Sequence, residues 1–157
     1  MKASFAHKSI FAFILVALID QLHKFYMIKF LGWQGGEMIT VTPFFDYVLV
    51  WNPGISYGLF AAIPPWGLVG IMLLASIGLA YWWATSTATL VRWGLAITLG
   101  GAVGNIIDRV VYGAVADFFS FHAFGYNWYI FNLADVAIAL GLIALVWDMF
   151  TSKGEKA

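Results

Sequence analysis

The sequence contains no cysteine, which excludes disulfides, thiolate metal sites and a cysteine nucleophile. Charge is scarce too: Asp, Glu, Lys and Arg make up 10% of the chain, where a soluble domain carries roughly 25%. Eight basic and eight acidic side chains cancel, and no basic stripe is present, so no nucleic acid partner is expected. Histidine is limited to His7, His23 and His122, too scattered for a metal centre, and neither metal nor other cofactor is expected. Internal repeats, low-complexity tracts and linkers are also missing, which predicts one domain over residues 1–157. Apolar residues are abundant, at 62%. A soluble fold of this length cannot hide that much apolar surface in one core, whereas lipid accommodates it. Eight Trp and seven Tyr supply the ring types that favour membrane–water interfaces.

Four apolar segments, about residues 9–28, 65–84, 90–107 and 128–150, approach the ~20 helical residues that cross ~30 Å of hydrocarbon. The predicted fold is therefore an all-α integral membrane protein with four transmembrane helices. Four crossings put both termini on one side. Lys2, Lys8, Arg92, Lys153 and Lys156 all fall there, so the positive-inside rule makes that side cytoplasmic. The basic start and apolar core of the first segment resemble a signal peptide. No small-residue cleavage pattern follows Asp20-Gln21-Leu22-His23-Lys24, which predicts an uncleaved first helix.

Two stretches remain on the outer side. In the longer, about residues 29–64, Ile39-Thr40-Val41-Thr42 and Phe45-Asp46-Tyr47-Val48-Leu49-Val50-Trp51 lie between glycines and prolines. Such runs read as short strands of a small extracytoplasmic β-sheet. The shorter, about residues 108–127, is expected to cover the mouth of the bundle.

Polar residues at membrane depth cost free energy unless paired, so each is a functional candidate. Asp20 and Lys24 lie four apart on one helix face. They read as a site wall or as an ion pair with Lys24 snorkelling outward. His23 reads as an interfacial side chain. Asn52-Pro53-Gly54-Ile55-Ser56-Tyr57-Gly58 is either an ordinary turn or a segment presenting the Asn52 amide to a substrate backbone. Ser56 has no histidine nearby in sequence to activate it. Gly100 and Gly104 form a small-xxx-small packing pair. Asn105 and Asp108 share a face, while adjacent Asp108 and Arg109 point apart. Structural cross-linking is the first reading for these three, and Arg109 also suits a substrate carbonyl or lipid phosphate.

Asp117 and Asp135 are the acids without evident partners: no Lys or Arg falls between residues 110 and 152. Two carboxylates sharing a site do not both ionise easily, which yields one base and one acid. On the residues alone, a peptidase and a proton-coupled carrier both remain open.

The ordered blocks Asp20-Gln21-Leu22-His23-Lys24, Asn52 to Gly58, Gly100-Gly101-Ala102-Val103-Gly104-Asn105-Ile106-Ile107-Asp108-Arg109, Gly113 to Phe118 and Phe131-Asn132-Leu133-Ala134-Asp135 closely resemble the lipoprotein signal peptidase (signal peptidase II) family. The resemblance covers nearly the whole chain. It implies a bacterial inner-membrane aspartic endopeptidase that removes signal peptides from diacylglyceryl-modified prolipoproteins, cutting just before the lipidated cysteine. It implies catalytic roles for Asp117 and Asp135, and supporting roles for Asp20, Lys24, Asn52, Gly54, Asn105, Asp108, Arg109 and Asn132. Membrane phospholipid and globomycin-type inhibitors are implied partners. The chain departs from the family pattern at His23, where Ser or Thr is common, and at Ser56-Tyr57-Gly58.

Overall fold

The structure is a computed structural model that describes residues 2–54 and 63–151. Among the described residues, four helices are long and apolar enough to cross a membrane. Helix α1 (Lys2–Phe25) continues into a π-helical turn (Tyr26–Phe30); α2 is Pro65–Thr85, α3 is Thr89–Tyr112 and α4 is Leu133–Thr151. Their outward faces carry large apolar side chains such as Phe11, Leu18 and Phe25 on α1, Leu74 and Tyr81 on α2, and Ile143 and Trp147 on α4.

Helix α3 contacts the other three, and glycine makes this possible. A methyl group on Gly100 would stand 2.7 Å from the Phe13 carbonyl oxygen, and one on Gly94 would stand 2.9 Å from that of Gly141. One on Gly101 would collide with the Ala134 carbonyl. Backbones approach this closely in membranes where side chains are smallest. The expected Gly100–Gly104 pair thus faces α1, while Gly94 and Gly101 serve α4.

The sheet is antiparallel, in the order β1 (Met38–Thr42), β2 (Phe45–Asn52), β3 (Val115–Ala123), β4 (Tyr126–Asn127). The first two strands fall where the aromatic and β-branched runs predict them. The second outer stretch departs from expectation, because it supplies the other two strands instead of a separate cover. The physical reason is the way α3 ends. Gly113 adopts a left-handed φ of 75° and donates its N–H to the Arg109 carbonyl, a common helix stop. The chain turns there and enters β3 two residues later.

The sheet-side ends of the third and fourth spans also differ. Helix α3 runs on to Tyr112, beyond the expected residue 107. Helix α4 begins at Leu133 rather than near 128, because the Phe131 carbonyl accepts from the Phe118 and Phe119 N–H groups and holds the preceding residues against β3. Beneath the sheet, Met27, Leu49, Ala116 and Phe118 form a buried apolar cluster.

Candidate active site

Asp20, Lys24, Asn105, Asp108, Arg109, Asp117 and Asn132 are all buried, although they come from α1, α3, β3 and the start of α4. The Lys24 ammonium lies 2.7 Å from Asp20 Oδ2 and 2.7 Å from Asp108 Oδ2. The helical Asp20–Lys24 pairing is thus present, but the expected snorkelling is not: Lys24 is 2% exposed. The second carboxylate explains the inward course, since a buried cation needs partners that repay desolvation. Asp108 Oδ2 also accepts the Ala116 N–H, and Gln21 donates to Asp20, Asp108 and the Gly104 carbonyl.

Lys24 passes this order on to Asn105. Its ammonium donates to Asn105 Oδ1 across 3.3 Å, which turns the Asn105 amide nitrogen toward Asp135 Oδ1 at 2.8 Å. Asn132 Nδ2 donates to the same Asn105 oxygen and, at 2.7 Å, to Asp117 Oδ1. Asn52 Nδ2 donates to Asp117 Oδ2 at 3.0 Å. The two acids are therefore joined through Asn132 and Asn105.

The backbone fixes this wiring. Asn132 caps α4: its Oδ1 accepts the Asp135 N–H, and Asp135 Oδ2 accepts the Asn132 N–H. This is a capping box with Asp at the position usually taken by Glu or Gln. Asp20 Oδ1 accepts the next first-turn donor, the Ala134 N–H. In β3, Asp117 pairs with Val50 of β2 just beyond a bulge, and bulges re-aim side chains. Asn52 closes β2, and its Oδ1 accepts the Gly54 N–H, so the turn orients its amide toward Asp117. Arg109 points away from Asp108 and donates to the Gly54 carbonyl at 2.6 Å. Residues 55–58 of this motif, with Ser56 and Tyr57, lie outside the described residues.

Asp117, Asp135, Asn52, Asn105 and Arg109 line a cavity of about 330 Å3. Its other wall is apolar, with Met72 of α2 and Ile138 and Leu142 of α4. The network holds four acids and two cations, so full ionisation would leave excess negative charge in a largely buried site. Burial, and after it the charge of Asp135, push the Asp117 carboxyl up to about 7; the Asn52 and Asn132 amides act in the opposite direction.

Sequence reasoning passed over Gln21, although a polar side chain next to Asp20 inside an apolar helix was a usable signal. Met72, Ile138 and Leu142 carried none. His23 packs against Phe118 and Phe119 and hydrogen-bonds the Tyr47 hydroxyl, tying α1 to the sheet.

Fold and site define a multi-pass membrane protein with a carboxylate pair, Asp117 buried and Asp135 half-buried, at one end of its helical bundle. Residues 12–151 match the family model described as Signal peptidase (SPase) II. The lipoprotein signal peptidase of Methylobacterium radiotolerans is 43% identical over 154 residues, covering 92% of this chain and 86% of that one. That of Nitrobacter hamburgensis is 46% identical, covering 90% of each. A bacterial membrane enzyme solved by the in meso method superposes with a TM-score of 0.85 at 26% identity, covering 96% of this chain and 92% of that one. The chain belongs to the signal peptidase II family, and it is a bacterial membrane protease that acts in removing signal peptides from prolipoproteins.

Proposed function

We propose that the chain is an aspartic endopeptidase that cuts diacylglyceryl-modified prolipoproteins just before the lipidated cysteine. The observation that carries this reading is the junction at Asn132, which binds the Asp117 carboxylate and caps the helix bearing Asp135 while both acids face one cavity. In this reading residues 1–157 form a single membrane-embedded peptidase domain of the bacterial inner membrane. Both termini are cytoplasmic and the site is toward the outer face, following the basic residues. Phospholipid surrounds it, and a globomycin-type inhibitor would occupy the same cavity. The apolar wall of Met72, Ile138 and Leu142 suits a substrate that arrives from lipid.

In this reading Asp135 acts as base and Asp117, the carboxyl that burial and the neighbouring Asp135 charge push up to about 7, acts as acid. Asp135 takes a proton from water as the water oxygen bonds to the scissile carbonyl carbon. Asp117 gives its proton to the carbonyl oxygen. Asp135 then delivers its proton to the amide nitrogen, the C–N bond breaks, and Asp117 regains a proton from the collapsing diol. Asn52, Asn105 and Asn132 orient the pair. Asp20, Lys24 and Asp108 hold Asn105 in place, and Arg109 holds the turn at Gly54.

The test is a gel-shift assay with purified protein and a diacylglyceryl-modified prolipoprotein, beside Asp117→Asn and Asp135→Asn. Wild type should release the signal peptide, and both folded variants should be inactive. Substantial cleavage by either variant would remove that residue from the pair.

A further inference from the structure

A second cavity lies toward the other end of the bundle, away from the acid network. It occupies about 420 Å3 between α1, α2 and α3, and none of its exposed lining is polar. Phe13, Leu73, Ile77, Ala80 and Leu99 form its walls. Trp83 lines one end, where its indole N–H donates to the buried Ser9 hydroxyl at 3.2 Å.

From Trp83 to Leu73 the cavity follows ten residues of α2, a depth of ~15 Å. That is half of the ~30 Å hydrocarbon layer, the reach of one leaflet. A helix of ~10 Å diameter would need about 1,200 Å3 over the same depth, more than the roughly 880 Å3 of empty space at the site, so a slimmer occupant is the better match. A single alkyl chain fits it.

The Trp83 end also carries a positive charge. The Arg92 guanidinium stacks over the Trp83 ring at 4.8 Å from its centroid. Among the described residues Arg92 forms no ion pair, and its Nε is buried without a hydrogen-bond partner. Guanidinium is well matched to phosphate oxygens. An apolar slot one leaflet deep, ending beside a guanidinium that forms no ion pair among the described residues, has the order of groups found in a phospholipid.

We propose that this cavity holds one acyl chain of an anionic phospholipid from the leaflet away from the acid network, with Arg92 meeting its phosphate. The occupant bridges α1, α2 and α3 where α2 is otherwise thinly packed: 11% of the α2 span is buried. The inference does not depend on the peptidase chemistry.

Native mass spectrometry of the full chain, released from nanodiscs of phosphatidylglycerol or of phosphatidylcholine, tests it. Wild type should retain one phosphatidylglycerol, about five-fold more often than phosphatidylcholine, as expected for one cation at a headgroup. Arg92→Gln should remove that preference. Ala80→Phe should fill the slot and abolish the retained lipid. Ile77→Trp does the same from a second exposed rim position, should the first variant fold poorly. Equal retention of the two lipids by wild type, or unchanged retention in both filled variants, would overturn the proposal.

Discussion

Replacing Asn52 with alanine removes an amide that donates to Asp117 Oδ2 across 3.0 Å. An amide N–H binds the ionised carboxylate more strongly than the protonated one, so its loss favours the protonated form. Asp117 stands at about 7 with this bond in place. A hydrogen bond to a charged group contributes about 1.5–3 kcal/mol, and 1.36 kcal/mol corresponds to one pH unit. If Asp117 is the acid of the pair, activity falls as pH rises through its ionisation. In Asn52→Ala that alkaline limb should therefore move from about 7 to about 8–9. The assay is kcat/KM for a lipidated peptide between about pH 5 and about pH 11, a range that extends about two units below the wild-type midpoint and two above that of the variant. Loss of the Asn52–Gly54 turn bond will also lower the amplitude, but the position of the limb is independent of amplitude. An alkaline limb that stays in place, or moves to lower pH, would refute the assignment of the acid role to Asp117.

Lys24→Met leaves Asp20 and Asp108 buried without their cation; thermal unfolding in detergent should show a loss of about 3–5 kcal/mol, partly recovered by adding Asp20→Asn. Gly104→Ala would put a methyl group 2.5 Å from Asp20 Oδ2. The cost is about 1–3 kcal/mol, and cleavage should weaken, because Asp20 loses its hold on the first turn of α4. Phe124 occupies a two-residue hairpin turn at φ 53°, beside Gly125 at φ 81°. Phe124→Asn suits that turn and should raise the unfolding midpoint through a gain of about 1 kcal/mol, with cleavage unchanged.

The sequence made the spans legible because hydropathy in lipid is a local property. Asp20 with Lys24 was readable from helical spacing, and Asn132 with Asp135 has the spacing of a helix start. The closing partners were not readable. Asp108 meets Lys24 only because Gly100 and Gly104 let α3 approach α1. Lys24 was therefore expected to reach outward for water, since nothing in its own helix supplies a second carboxylate. Strand β3 was missed because its signal, an aromatic run after Gly113, is the same as that of an aromatic cover. Only pairing with β2 distinguishes them, and pairing is tertiary information.

The depth of the acids follows from how the network is wired. Asp20 serves two purposes: one oxygen pairs with Lys24, and the other accepts the Ala134 N–H at the start of α4. Asp135 belongs to the same helix turn, so the geometry of α1 reaches the second acid through backbone, independently of the route through Lys24 and Asn105. Asp117 arrives from a different direction, on a strand fixed by β2 and by the Phe131 carbonyl. Asn132 is where the routes converge. Shortening it to alanine would remove an amide on Asp117 and the cap on Asp135 together, whereas Asn52→Ala removes an amide on Asp117 and its own turn bond but leaves that cap intact. If the pair works as a unit, Asn132→Ala should reduce kcat far more than Asn52→Ala, although each variant removes one amide from the same carboxylate.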